Sequence, residues 1–239
     1  MNARERMLGR LRAAAPAQIA EDRLQQLDQR IDMHYDSRRP ARPEAAALVE
    51  SMQAALVASH AEVFRATERT WPTLIAQRLL SANVKRMLLD TSRAEGAALQ
   101  QALPSSIATR TYDQPIESWK AELFDTIDAG FTVARSGIAS TGTLVLAPDA
   151  GSPRTMSLVP PLHIALVYAH ALHADLHAAM RAEQWQAGMP TNLVMISGPS
   201  KTSDIQQTLA YGAHGPRELW VVIVEHQADT AIGTHGDAA

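Results

Sequence analysis

Three glycine-containing segments in the second half of the chain place hydroxyl, amine and imidazole side chains beside backbone N–H groups. They read GIASTGT at residues 137–143, ISGPSKTSDI at 196–205 and GAHGPR at 212–217. Glycine permits close approach of the backbone to a ligand, and serine, threonine and lysine add hydrogen-bond donors, so turns of this composition can bind anions. The sequence therefore predicts a site for an anionic ligand, assembled from loops that are far apart along the chain.

The first segment has two interpretations. Gly137, Thr141, Gly142 and Thr143 could hold an anion, or the segment could be a plain hairpin connection. The glycine spacing is similar to that of a nucleotide phosphate loop, but Thr143 occupies the lysine position and a strand, not a helix, is expected next. This context excludes a nucleotide loop and leaves the other two interpretations open.

The second segment is predicted to follow a buried strand at 193–196 and to open a helix at 204–211. Its candidate ligand-binding positions are Gly198, Ser200, Lys201, Thr202 and Asp204. A helix start supplies free N–H groups and a positive dipole end, and α/β sheets bind ligands beyond the carboxyl ends of their strands. The alternative is an ordinary helix cap formed by Ser203 or Asp204, with Lys201 in solvent.

Two histidines are candidates for proton transfer or for orienting a ligand, although the sequence singles out no catalytic residue. His163 follows two prolines at the entrance of an apolar strand, where a buried ring needs a hydrogen-bond partner. His214 lies in a glycine-rich turn that could direct it at a neighbouring site, or it could have no role there.

Three further histidines are spaced i, i+3 and i+7 and would share one face if helical, beside or within the helix predicted at 171–186. They are His170, His173 and His177. Such a face could bind a metal ion, but no carboxylate partner is evident, and we predict no metal site.

Helical and strand-like segments alternate through most of the chain and must position these groups. After a proline-rich break, residues 45–58 and 95–103 have helical composition, while 84–89 and 107–112 are short apolar strands. This alternation predicts an α/β fold with a mostly parallel central sheet. Residues 1–42 are predicted to form an N-terminal helical arm and linker. Residues 43–226 would form the α/β domain, and 227–239 a mobile tail.

Composition excludes several classes of protein. The chain has 239 residues, 22 Lys and Arg against 25 Asp and Glu, and no cysteine. Without cysteine it cannot form disulfides, cysteine-ligated iron–sulfur clusters, thiolate zinc sites or a cysteine nucleophile. The net charge of −3 argues against nucleic-acid binding. No stretch is apolar enough for a secretory signal or a membrane span, so we expect a cytoplasmic protein.

Together, four motifs resemble the LUD domain of the lactate utilization protein C (LutC/YkgG) family. They are GIASTGTLV at 137–145, LVPPLHI at 158–164, ISGPSKTSDI at 196–205 and GAHGPR at 212–217. The resemblance implies a three-layer fold of the NagB/RpiA/CoA-transferase-like kind, with the LUD domain at 43–226. It also implies a role in oxidising L-lactate to pyruvate beside partner subunits that carry iron–sulfur clusters. The family commonly has Glu where this chain has Ser140 and Gln206.

Three functions follow as hypotheses. The first is a subunit of an L-lactate-oxidising system that binds no cofactor of its own and has no redox centre. The second is a stand-alone enzyme of the same fold that binds an anionic ligand such as CoA, a phosphate or a nucleotide. The third is a non-catalytic assembly subunit that docks its partners through the N-terminal arm.

Overall fold

The first part of the chain forms two helices. The computed structural model describes residues 2–14, 20–38, 43–203 and 209–226, and the chain divides into two compact units, 1–42 and 43–239. In the first unit, α1 spans Ala3–Ala13 and α2 spans Glu21–Asp36. Neither helix buries a side chain, since polar residues are the commonest in both sequences: Arg in α1, and Asp and Gln in α2. The tail predicted at 227–239 lies outside the described residues.

The described part of the second unit alternates helices and strands. The helices are α3 (Ala45–Ala58), α4 (Trp71–Ser81), α5 (Ala94–Ala102), α6 (Lys120–Asp125), α7 (Thr155–Leu158) and α8 (Leu176–Ala182). The strands are β1 (Glu62–Thr67), β2 (Arg86–Leu88), β3 (Ala108–Arg110), β4 (Ala129–Val133), β5 (Ser136–Ile138), β6 (Thr143–Leu146), β7 (Leu162–Tyr168), β8 (Leu172–His173), β9 (Val194–Ile196), β10 (Lys201–Ser203), β11 (Leu209–Tyr211) and β12 (Glu218–Glu225). None of the helices in the described ranges is both long enough and apolar enough to cross a membrane.

Six strands form a central sheet in the order β1-β12-β7-β4-β2-β3, and every neighbouring pair is parallel. Two neighbouring interior strands, β12 and β7, are apolar almost throughout and are buried on both faces. Continuous apolar strands of this kind are typical of parallel sheets covered on both sides. The predicted α/β class with a mostly parallel central sheet is confirmed.

Different layers cover the two faces of this sheet. On one face, Trp71 and Ile75 of α4 and Leu99 of α5 pack with Phe131 and Ile164 of the sheet. On the other face lie α3 and a smaller sheet of order β8-β5-β6-β9, in which β6 is antiparallel to both β5 and β9. The result is a three-layer arrangement with the central sheet in the middle.

The helix predicted at 204–211 is wrong where the structure describes this segment. Lys201–Ser203 and Leu209–Tyr211 are the two strands of an antiparallel hairpin, β10 and β11. Asp204 and the rest of 204–208 lie outside the described residues. The strand predicted at 193–196 exists, but β9 is only partly buried and belongs to the smaller sheet, because its partner is β6.

The long helix predicted at 171–186 is also wrong. A 3₁₀ turn at Ala169–Ala171 is followed by β8, which pairs with β5, and α8 begins only afterwards. Asp175 caps α8 by accepting a 2.8 Å hydrogen bond from the Ala178 N–H. His170, His173 and His177 therefore lie on three different elements and share no helix face.

Candidate functional site

A cavity of about 230 Å³ lies where β7 and β12 begin. Its polar lining includes Ser157, His163, Ser197, Ser200 and His214. Four predicted site residues, His163, His214, Gly198 and Ser200, are therefore brought together. The cavity is at the amino ends of β7 and β12, because His163 and Leu219, which line it, are the second residues of these strands. The expected position beyond their carboxyl ends is wrong for the segment 195–200.

His163 lines the cavity and is almost fully buried, with 1% of its surface exposed. Its Nε2 lies 2.8 Å from the hydroxyl oxygen of Thr132 on the adjacent strand β4. Its Nδ1 has no hydrogen-bond partner among the described residues. Burial lowers the pKa of His163 from its ordinary value near 6.5 to about 3, so the ring is neutral at neutral pH. A group with this pKa is a poor proton acceptor near neutrality but can orient a ligand.

Backbone hydrogen bonds hold the segment of Ser200 against the turn of His214. The Ser200 N–H donates to the Pro216 carbonyl at 2.8 Å, and the Gly212 N–H donates to the Ser200 carbonyl at 2.9 Å. Gly198 has φ near +150°, and a Cβ there would lie 2.8 Å from the Ser59 carbonyl oxygen. Only glycine suits this position, which explains the Gly-Pro turn after β9.

The loop 137–143 supports the cavity wall without lining the cavity. Thr143 and Ser197 place their hydroxyl oxygens 2.7 Å apart, and Thr141 is equally close to Thr143. Gly137 leaves room for its neighbour, because a Cβ there would lie 2.6 Å from Leu172 Cδ2. The structure thus favours the hairpin interpretation of this segment over direct ligand binding.

Lys201 lies in a second cleft, on the other side of the turn 197–199. This cleft is lined by Ser59 and His60, which follow the last residue of α3, and by Lys201 itself. Lys201 therefore lines the cleft at the carboxyl end of α3 and is not among the residues that line the cavity at His163. Thr202 is half-buried in β10 opposite Ala210, and Asp204 lies outside the described residues.

Sequence reasoning missed Thr132 and Ser157. Thr132 is a single hydroxyl in an otherwise apolar strand, and its role depends on the pairing of His163 with Gly130, which puts both side chains on one face of the sheet. Ser157 is 1% exposed and lines the cavity from α7. The only available signal was an isolated polar residue within an apolar run, and it identifies no partner.

Metal binding has no support in the described part of the chain. Within those ranges no group of three or more His, Asp or Glu residues is arranged to hold a metal ion. The polar side chains that line the cavity are serine hydroxyls and the imidazoles of His163 and His214, which can hydrogen-bond a small organic ligand.

The chain is similar to an uncharacterized bacterial protein over most of its length and to lactate utilization protein C homologues over part of its length. An uncharacterized protein of Neisseria meningitidis serogroup B is 36% identical over 229 residues, which is 94% of each chain. Lactate utilization protein C of Shouchella clausii is 33% identical over 101 residues, 41% of this chain and 44% of that protein. The homologue of the same name from Oceanobacillus iheyensis is 21% identical over 174 residues, 70% of this chain and 75% of that protein. The first lactate utilization match thus spans less than half of its relative.

The fold is also present in a solved structure. A DUF162 family protein from Deinococcus radiodurans superposes with a TM-score of 0.56 at 23% identity, covering 76% of this chain and 99% of that one. The family model of the LUD domain matches residues 49–224, which include the central sheet and every described residue of the cavity. This chain therefore belongs to the LUD domain family.

Proposed function

We propose that this protein is a subunit of an L-lactate utilization system and supports the oxidation of L-lactate to pyruvate together with iron–sulfur partner proteins in the cytoplasm. Relatives named lactate utilization protein C support the pathway. The observation that carries the proposal is the cavity at His163, whose lining can hydrogen-bond a small oxygen-rich ligand. The cavity is the binding site for that ligand in this proposal.

The size and lining of the cavity favour a small monocarboxylate over a large phosphorylated ligand. Its 230 Å³ is smaller than the roughly 300–1,000 Å³ typical of drug-sized pockets. None of the described residues that line it is Lys or Arg. A nucleotide or CoA would require cationic or helix-start contacts for its phosphates. The stand-alone CoA or phosphate enzyme is therefore the less favoured function.

The redox chemistry is assigned to the partners. Oxidation of L-lactate to pyruvate removes the hydrogens of C2 and of the hydroxyl, as two protons and two electrons. A chain without cysteine lacks the thiolates that hold iron–sulfur clusters, and its sequence contains no dinucleotide-binding fingerprint. In this proposal the protein binds the acid, and the electrons pass to clusters in the partner subunits.

Growth of a deletion strain tests the proposal. Loss of the gene should abolish growth on L-lactate as sole carbon source while growth on pyruvate continues. The wild-type gene should restore growth, His163→Phe should not, and His226→Gln should restore it fully, because that side chain is 89% exposed. Normal growth of the deletion strain on L-lactate would contradict the proposed function.

One observation favours a second function, a non-catalytic assembly subunit that docks an iron–sulfur partner through α2. Leu24, Leu27 and Ile31 recur at helical spacing and are 47%, 39% and 45% exposed. A surface of this kind on a helix that buries no side chain is a candidate protein interface.

Charge substitutions on α2 test this second function in the full chain. Leu24→Glu with Ile31→Glu should abolish co-purification of the iron–sulfur partners if α2 docks them. The control, Gln25→Glu with Gln29→Glu, adds the same charge to the opposite face and should leave co-purification unchanged. Retention of the partners by the Leu24 and Ile31 variant would remove this role for α2.

A further inference from the structure

The ring of His163 makes one hydrogen bond and leaves one nitrogen without a partner at a cavity. Nε2 is bonded to the Thr132 hydroxyl at 2.8 Å, whereas Nδ1 is buried and unpartnered among the described residues. His163 itself lines the cavity. A buried polar atom without a partner destabilises the protein unless a ligand or water forms the missing hydrogen bond. Nδ1 is therefore the atom that a ligand would satisfy.

The Thr132 hydroxyl decides which nitrogen of His163 carries the proton. A neutral imidazole has one N–H donor and one acceptor nitrogen. If Nε2 carried the proton, the Thr132 hydroxyl oxygen would accept a hydrogen bond from the Nε2–H. The hydrogen of that hydroxyl would then lack an acceptor among the described residues. If Thr132 donates to Nε2, its proton is satisfied and the ring proton is on Nδ1. The second arrangement leaves fewer buried groups unpaired and is the favoured tautomer.

Ser157 offers a hydrogen-bond acceptor, and not a donor, to the same cavity. Its hydroxyl donates to the Arg154 carbonyl at 3.0 Å, so the proton is already engaged and only the lone pairs of the oxygen remain for a ligand. The side chain is buried and lines the cavity together with His163. The lining thus offers a fixed donor at His163 and a fixed acceptor at Ser157.

We infer that the cavity selects a 2-hydroxy carboxylate, whose carboxylate oxygen accepts the Nδ1–H of His163 and whose hydroxyl donates to Ser157. Thr132 is the positioning residue that keeps the ring in the required tautomer. This inference rests on the proposed function for the existence of a small acid ligand, and it adds the residues that distinguish the hydroxy acid from its oxo product. A 2-oxo acid lacks the hydroxyl proton and leaves Ser157 without a donor, so it binds less tightly.

The tautomer can be measured in the full-length protein without any ligand. Nitrogen-15 NMR of the histidine rings, with the His163 signals assigned from a His163→Gln variant, should show a protonated Nδ1 and an unprotonated Nε2. Thr132→Val should shift the ring toward the Nε2–H form, and Thr132→Ser should restore the wild-type pattern. A protonated Nε2 in the wild-type protein would overturn the inference, whatever the growth phenotype of the deletion strain.

Binding measurements test the ligand class. Calorimetric titration with L-lactate, pyruvate and propionate should give the highest affinity for L-lactate, and Ser157→Ala should lower only that affinity, by about tenfold, to the level of propionate. His163→Phe should weaken L-lactate and propionate alike by about tenfold or more, provided that its circular dichroism matches wild type. No heat with L-lactate, or equal affinity for all three acids, would overturn the inference. Normal growth of the deletion strain despite selective binding would contradict only the proposed function.

Discussion

Thr143 at the start of β6 and Ser197 just beyond β9 place their hydroxyl oxygens 2.7 Å apart. The bond joins a hairpin loop to the turn that forms part of the cavity wall. Thr143 also lies 2.7 Å from the Thr141 hydroxyl, so three hydroxyls form a continuous chain. The hairpin loop therefore contributes to the site by holding the wall in place.

Removal of this contact should lower stability in a coupled manner. Thr143→Val and Ser197→Ala should each reduce the free energy of unfolding by about 0.5–1 kcal/mol, because each removes the hydrogen bond between the two hydroxyls. The double variant should lose less than the sum, by about 0.5–1 kcal/mol, in urea denaturation. Ser140→Ala, an exposed position in the same loop, serves as control and should change stability by less than about 0.5 kcal/mol. Strict additivity would show that the two hydroxyls do not interact.

Gly142 should tolerate no side chain. Its φ is +60°, and a Cβ there would lie 2.7 Å from the Leu56 backbone nitrogen of α3. Gly142→Ala should therefore cost more than about 1 kcal/mol of unfolding free energy, from backbone strain and the displacement of α3. Gly188→Ala is the matched control, since a Cβ there meets nothing within 4 Å and the substitution should be neutral or slightly stabilising. Equal thermal stability of the two variants would contradict this packing.

The buried His163 should make stability fall in mild acid. Its pKa is about 3 in the folded protein and near 6.5 in the unfolded chain, so between these values only the unfolded chain binds the proton. The contribution of His163 to the free energy of unfolding is constant above pH 6.5 and is lost as pH falls toward 3, by up to about 1.4 kcal/mol per pH unit.

Paired denaturation curves isolate this contribution. The free energy of unfolding of wild type minus that of His163→Gln should be flat between about pH 7 and 8 and should decline below pH 6.5. The same difference taken with His226→Gln, whose side chain is 89% exposed, should show a much smaller decline. A parallel loss of stability in wild type and His163→Gln would mean that the ring is not buried in neutral form.

Apolar periodicity predicted helices and buried strands of the α/β domain, because each apolar pattern reflects the burial of that same stretch of chain. The helix expected at 45–58 has those bounds in the structure, and the apolar run at 219–225 is the core of β12. The pairing of β10 with β11 was not predictable in the same way, since β10 is polar, each strand has only three residues, and the pairing depends on the partner strand.

At the candidate site, the residues within motifs were predictable from the sequence, whereas a contact between distant strands was not. The motifs identified His163, His214, Gly198 and Ser200, and all four line one cavity. The Thr132 contact depends on the register between β4 and β7, strands joined by a long excursion through the smaller sheet. A sequence contains no local signal for such a register, which explains why the tautomer of His163 could be argued only from the structure.

Lys201 provides a test of which cleft holds the ligand. The sequence alone made it the obvious anion-binding residue, yet it lines the cleft beside Ser59 and His60 and is not among the residues of the His163 cavity. Lys201→Ala should therefore change the affinity for L-lactate by less than about twofold, because a solvent-exposed charge outside the cavity contributes little to binding. Ser200→Ala, one residue earlier but in the cavity lining, should weaken L-lactate by a larger factor in the same titration. A tenfold loss in Lys201→Ala would instead place the carboxylate in the second cleft and leave His163 a structural role, since the two clefts share only the turn 197–199.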